Sequence, residues 1–156
     1  MAIEIERKFL VTGEAWRHAV AVRQIEQGYL FSSTMVSARI RLADGAATLT
    51  IKGERADLAR DEFEYAIPVG DAEELLRLSP HPPIIKARHE VMFAGKLWEV
   101  DEFAGRLAGL VIAEIELDRA DEPFERPPWL GREVTHDRRY RNSALIASGI
   151  PSDQAA

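Results

Sequence analysis

The sequence contains no cysteine, which excludes disulfide crosslinks and thiolate metal ligands and suits a reducing compartment. No apolar run approaches the ~20 residues that a membrane-spanning helix needs, and the opening residues do not read as a signal peptide. A basic excess is also missing. Twenty Lys and Arg stand against 26 Asp and Glu, a formal net charge of −6, which argues against a nucleic-acid binder held by bulk charge but not against a local basic site. The four histidines, His18, His81, His89 and His136, lack metal-ligand spacing and read as surface or core residues. No repeat at solenoid spacing and no low-complexity tract is present. What remains is 156 residues, 46% hydrophobic and 29% charged. That is expected to be one soluble domain over 1–156 with a real core, cytoplasmic, without membrane or nucleic-acid partners.

The residues that are there alternate. In Glu4-Ile5-Glu6-Arg7-Lys8, within a strand over about 3–11, Glu4, Glu6 and Lys8 share one face, while Ile3, Ile5, Arg7 and Phe9 share the other. The design recurs over 23–31, 36–43, 47–53, 60–67, 84–93, 96–103 and 110–118. Asp44-Gly45 marks a primed-turn hairpin between two of these strands. Short helices are expected after Thr12, from Asp71 as N-cap until the prolines at 80, 82 and 83, and over 144–148 capped by Asn142 or Ser143. Residues 54–59 read as a polar loop. The stretch from Arg119 through Pro123, Pro127-Pro128 and Gly131 reads as irregular, and the last five residues as frayed. Eight strands with short connections predict a mainly β (α+β) fold: an eight-stranded antiparallel sheet closed into a barrel, with a few short flanking helices.

Collected, the polar faces carry the bases Lys8, Arg39, Arg41, Lys52, Lys86 and Arg88 and the acids Glu4, Glu6, Glu62, Glu64, Glu99, Asp101, Glu114 and Glu116. Facing outward, they would form a solvated coat around an apolar interior. Two features favour the opposite orientation. The signs are segregated by strand, and like charges on one face repel unless something neutralises them. Long ionisable side chains also fill nearly every polar position, with few serines or asparagines between. Turned inward, these faces make a charged tunnel whose apolar backs are covered by the helices and C-terminal loops. The bases suit a polyanion, arginine offering forked hydrogen bonds to phosphate oxygens. The carboxylates need a divalent cation to meet phosphate, and an oxygen-only donor set points to Mg²⁺ or Mn²⁺ and not zinc. Trp16, Trp98 and Trp129 read as packing residues.

Glu4-Ile5-Glu6-Arg7-Lys8 resembles the ExExK signature of the CYTH superfamily, the triphosphate tunnel metalloenzymes. The resemblance continues through Gln27-Gly28-Tyr29-Leu30, Arg39-x-Arg41, Thr50-x-Lys52, Glu62-x-Glu64, Lys86-x-Arg88, Trp98-Glu99-Val100-Asp101, Glu114-x-Glu116 and the tail Trp129 to Thr135 with Arg139-Tyr140. It is strongest to the short bacterial inorganic triphosphatases. The resemblance implies an eight-stranded tunnel that binds a triphosphate-containing small molecule and hydrolyses inorganic triphosphate with Mg²⁺ (or Mn²⁺), two ions acting during turnover. Lys8, Arg39, Arg41, Lys52, Lys86 and Arg88 would hold the phosphates. Glu4, Glu6, Glu114 and Glu116, together with Asp101, would bind metal. Glu62 and Glu64 would complete the sphere or orient water, and Lys8 or Lys86 would assist the departing diphosphate. The resemblance also admits a class IV-type adenylate cyclase, a thiamine triphosphatase or a non-catalytic polyphosphate- or nucleotide-binding module, a homodimer, and a gating role for Tyr140 at one tunnel mouth.

Overall fold

The computed structural model describes residues 2–55 and 58–152. The middle of the expected loop at 54–59 and nearly all of the expected frayed tail lie outside the described residues. The strands are β1 (Ala2–Val11), β2 (Ala21–Ser32), β3 (Val36–Ala43), β4 (Ala46–Glu54), β5 (Ala59–Ile67), β6 (Ile84–Phe93), β7 (Lys96–Phe103), β8 (Val111–Glu116) and β9 (Leu130–Glu133), with helices α1 (Val69–Arg77) and α2 (Asn142–Ser148). Every pairing is antiparallel, and β1 to β8 close in the order β1-β5-β4-β3-β2-β6-β7-β8 and back to β1. Closure runs through β1. Its residues 2–5 pair with β5, residues 6–10 pair with β8 on the opposite edge, and β9 takes up the first edge again beyond β5. The barrel therefore leaves none of its eight strands with a free edge along its whole length.

The apolar backs of the strands are covered in two patches. Phe9, Val91, Trp98, Val100 and Ile115 form one core with Trp16 and Trp129, and Phe124 packs against it from the irregular stretch. Trp98 sits edge-on to Phe9, Phe124 and Trp129 at centroid distances of 5.8, 5.6 and 5.7 Å, so the indoles pack as expected. On the other side, α1 lays Ala72 and Leu76 over Ile40 and Ala47. Gly28 lies under that helix. A Cβ there would stand 2.9 Å from Leu76 Cδ2, so the close approach of strand and helix depends on its absence.

A third core lies on the inner side. Past the charges, the inward positions turn apolar at Leu10, Ile84, Phe103 and Ile112, and Leu107, Val134, Tyr140, Leu145 and Ile146 pack against them. This plug fills the β6–β7–β8–β1 side of one end of the barrel. It also places the chain after Tyr140 at the bore.

Four local expectations differ from the structure. The segment after Thr12 makes only a 3-10 turn, Ala15–Arg17, and the Thr12 hydroxyl donates to Trp129 O (3.2 Å), leaving the turn uncapped. Helix α1 begins before Asp71, with Pro68 at the N-cap and Asp71 in the first turn, where its charge suits the dipole. Strand β9 falls within the tail read as irregular, and its pairing with β1 is a long-range contact that no local pattern announces. Asn142 and Ser143 do not cap α2, whose N-cap is Arg141 without a side-chain bond.

Candidate active site

The charged faces converge. A cavity of about 180 Å³ inside the barrel is lined by Glu4, Glu6 and Lys8 of β1, Arg39 and Arg41 of β3, Lys52 of β4, Glu62 and Glu64 of β5, Lys86 and Arg88 of β6, Glu99 of β7, and Glu114 and Glu116 of β8. The period of two in each strand turns these residues inward, and the register brings them level. Glu6 faces Glu116, Lys8 faces Glu114, Lys52 faces Glu62, and Glu99 faces Glu114. Of the site residues expected from the sequence, Asp101 alone does not line the cavity.

Asp101 sits behind the bases. It is 1% exposed, and both its oxygens are occupied: Oδ2 accepts from Lys86 Nζ (2.7 Å) and Arg88 Nη2 (2.9 Å), and Oδ1 from Arg88 Nε (2.8 Å). Lys86 and Arg88 are thus braced on Asp101, whose carboxylate stands behind them and outside the lining of the cavity. Burial works against its ionisation, but Lys86 and Arg88 hold its carboxyl down at about 2. Burial in turn drives the Lys86 ammonium down to about 7, with Asp101 pulling the other way and Arg88 and Arg41 adding repulsion.

Across the bore the carboxylates crowd one another. Burial and the proximity of Glu114 and Glu4 push Glu6 well above the usual range. Its partner Glu114, despite its own burial, is held well below by Lys8 and by the hydrogen bond it accepts from Glu6. Glu62 is raised by burial and by a hydrogen bond to Glu4. Lys52 donates to Glu4 Oε1 (2.7 Å) and lies 3.7 Å from Glu62 Oε2. Like charges crowded this closely inside the barrel oppose one another's ionisation, which raises Glu6 and Glu62 while Glu114 and Glu4 are lowered.

On the basic side, burial and then Arg39 and Arg88 bring Arg41 down to about 10. Arg39 is half-buried; its Nε is shielded from solvent and has no partner among the described residues, where its Nη2 makes a long bond to Thr50 Oγ1 (3.4 Å). A guanidinium that faces a cavity with a shielded donor unused is suited to an anionic acceptor.

Several lining residues lie outside the charged series read from the sequence: Tyr29, Ser37, Arg60, Arg141, Asn142 and Ser143. The last three follow Tyr140, whose ring is fully buried in the apolar plug. Tyr140 is a packing residue that anchors this segment, not a side chain at the mouth. Its carbonyl accepts from Lys8 Nζ (3.3 Å), and Arg141 Nη1 donates to Glu54 Oε1 (2.5 Å). The Arg138-to-Arg141 run looks in sequence like a solvated turn, and only the anchoring tyrosine within it hints otherwise.

A closed antiparallel barrel with both signs of charge in its bore is the arrangement that the ExExK series implied. The CYTH domain model matches residues 2–145, and the chain belongs to that family. It is 46% identical over 147 residues to the inorganic triphosphatase of Acetivibrio thermocellus, covering 94% of each chain. It is 40% identical over 153 residues to the inorganic triphosphatase of Nitrosomonas europaea, covering 93% of this chain and 97% of that one. Among solved structures, the inorganic triphosphatase NE1496 superposes with a TM-score of 0.70 at 36% identity, covering 97% of this chain and 98% of that one.

Proposed function

We propose that this chain hydrolyses inorganic triphosphate to diphosphate and orthophosphate inside the barrel. The observation that carries the reading is the two-sided bore: unsatisfied or self-repelling bases along β3 and β6, and crowded carboxylates along β1, β5 and β8, around one cavity. The relatives named as inorganic triphosphatases support the same choice over a cyclase or a thiamine triphosphatase.

The donor set fits a divalent cation. Glu4, Glu6, Glu114 and Glu116 are hard oxygen donors turned into the bore, and the mutual repulsion that raises Glu6 and Glu62 is relieved by positive charge. Such oxygen donors suit Mg²⁺ or Mn²⁺, which bind through one or two carboxylates and fill the rest of the sphere with water and substrate phosphate. Such an ion would neutralise phosphate charge and lower the pKa of a bound water.

The chain's own residues do the rest. Arg39, Arg41 and Arg88 grip non-bridging oxygens, Lys52 adds a point charge, and together they hold the phosphate chain extended for in-line attack. As water bonds to the terminal phosphorus, the P–O bond to the departing diphosphate breaks. The water's proton passes to a carboxylate, for which Glu62 and Glu64 face the bore. Lys8 and Lys86 face the charge that accumulates on the diphosphate. The test is release of orthophosphate and diphosphate from tripolyphosphate, ATP and thiamine triphosphate, with the nucleotide product identified, each with MgCl₂ and with EDTA. Tripolyphosphate with Mg²⁺ is expected to turn over fastest. Faster turnover of ATP, with cyclic AMP as product, would overturn the assignment.

A further inference from the structure

Resting on that reading, we propose that Gln27 and Asn142 are positioning residues: a relay of two amides, one buried and one at the cavity wall, that sets the orientation of Arg41 and Lys86 toward a bound triphosphate. Gln27, on β2, is fully buried. Its Oε1 accepts from both Arg41 Nε (2.9 Å) and Arg41 Nη2 (2.7 Å), and its Nε2 donates to Asn142 Oδ1 (2.8 Å). The same Asn142 oxygen accepts from Lys86 Nζ (2.9 Å). Asn142 opens α2, and the burial of Tyr140 two residues earlier brings it to the barrel.

The polarity of the relay is forced. Arginine and the lysine ammonium only donate, so each end of the chain must present an oxygen. Gln27 therefore turns Oε1 to Arg41, which leaves its NH₂ toward Asn142. Asn142 must then offer Oδ1 to two donors at once, which a carbonyl with two lone pairs can do. Neither amide can flip without setting donor against donor. Arg41 and Lys86 repel each other. A neutral linker that satisfies both lets them stand in one cavity with their remaining donors free. Asp101 braces Lys86 from the far side, so Lys86 is held at two points and Arg41 at one.

The relay acts through its cations and touches no reacting atom, so its signature is weakened phosphate binding with the fold intact. The measurements are the Kd of diphosphate with MgCl₂ by calorimetry, in which nothing turns over, the KM and kcat for tripolyphosphate, and the melting temperature. Gln27→Met and Asn142→Ala are each expected to raise Kd and KM about tenfold, the effect of losing a charged hydrogen bond. The double variant is expected to stay within about threefold of the worse single one, because groups in series do not add. Gln27→Glu keeps an oxygen for Arg41 but turns its second oxygen onto Asn142 Oδ1. It is expected to bind at least as weakly as Gln27→Met, and it keeps the test open if the methionine variant does not fold. Unchanged Kd in the single variants, or losses that multiply to about a hundredfold in the double, would overturn the relay alone. A wild type that neither binds diphosphate nor hydrolyses tripolyphosphate would overturn the underlying reading and the relay with it.

Discussion

Replacing Arg39 by alanine is expected to lower kcat/KM for tripolyphosphate about a hundredfold to a thousandfold, measured by steady-state phosphate release. Arg39 lines the cavity with a buried Nε that has no partner among the described residues and an Nη2 that makes a long bond to Thr50. Its hydrogen-bonding capacity is held ready for an acceptor, and an anion entering the bore supplies one. A forked arginine–phosphate contact comprises two charge-assisted hydrogen bonds of about 1.5–3 kcal/mol each. Losing most of that without replacement gives the stated range. Arg39→Lys keeps the charge but not the fork, and is expected to recover only part of the loss. The protein should stay folded, since the bond to Thr50 that the alanine gives up is long and weak. An alanine variant within threefold of wild type would mean that substrate does not reach this side of the barrel.

Asp101→Asn is expected to act mainly on stability, by about 3–5 kcal/mol, because it takes the buried counter-ion from Lys86 and leaves Arg88 only its longer contact to Glu99 (3.4 Å). The asparagine can still accept from Arg88 with one atom, but it turns an NH₂ toward either Lys86 or the other guanidinium nitrogen. Part of the cost is softened because Lys86, already brought down to about 7, can release its proton. The pH dependence has a definite sign. The folded-state carboxyl of Asp101 lies at about 2, below its ordinary 3.8. Its contribution is complete above the ordinary value and is lost as pH falls through the folded one. Urea titrations should therefore show wild type and variant well separated at pH 7 and converging between about pH 4 and pH 2. Equal stability at pH 7 would show that the Asp101–Lys86–Arg88 cluster is not a net support.

Alternation at a period of two was enough to assign thirteen of the lining side chains to one face of each strand, since a residue and its second neighbour cannot part company on a regular strand. What alternation does not carry is depth. Asp101 shares a face with Glu99, yet it is paired with Arg88 across the sheet and closed off behind it, so one of the two lines the cavity and the other does not. The C-terminal contribution was also hidden. Asn142 reads locally as a helix cap. Its bonds run to Gln27 and Lys86, 115 and 56 residues away in sequence, and only the closed barrel brings them together. Strand β9 was missed for the same reason: it exists because β1 offers an edge, not because four residues following two prolines form a strand on their own. The apolar plug was in plain view as Tyr140, Leu145 and Ile146, but a short amphipathic tail does not say which end of a barrel it fills.

Cleavage of a triphosphate chain in this bore is read out without a coupled assay by ³¹P NMR of tripolyphosphate incubated with the protein, first in EDTA and then with MgCl₂ in excess. An unchanged spectrum is expected in EDTA, then loss of the tripolyphosphate resonances with Mg²⁺ and equimolar growth of diphosphate and orthophosphate. Tripolyphosphate that survives intact with Mg²⁺, or three orthophosphates per molecule from the outset, would contradict that reaction.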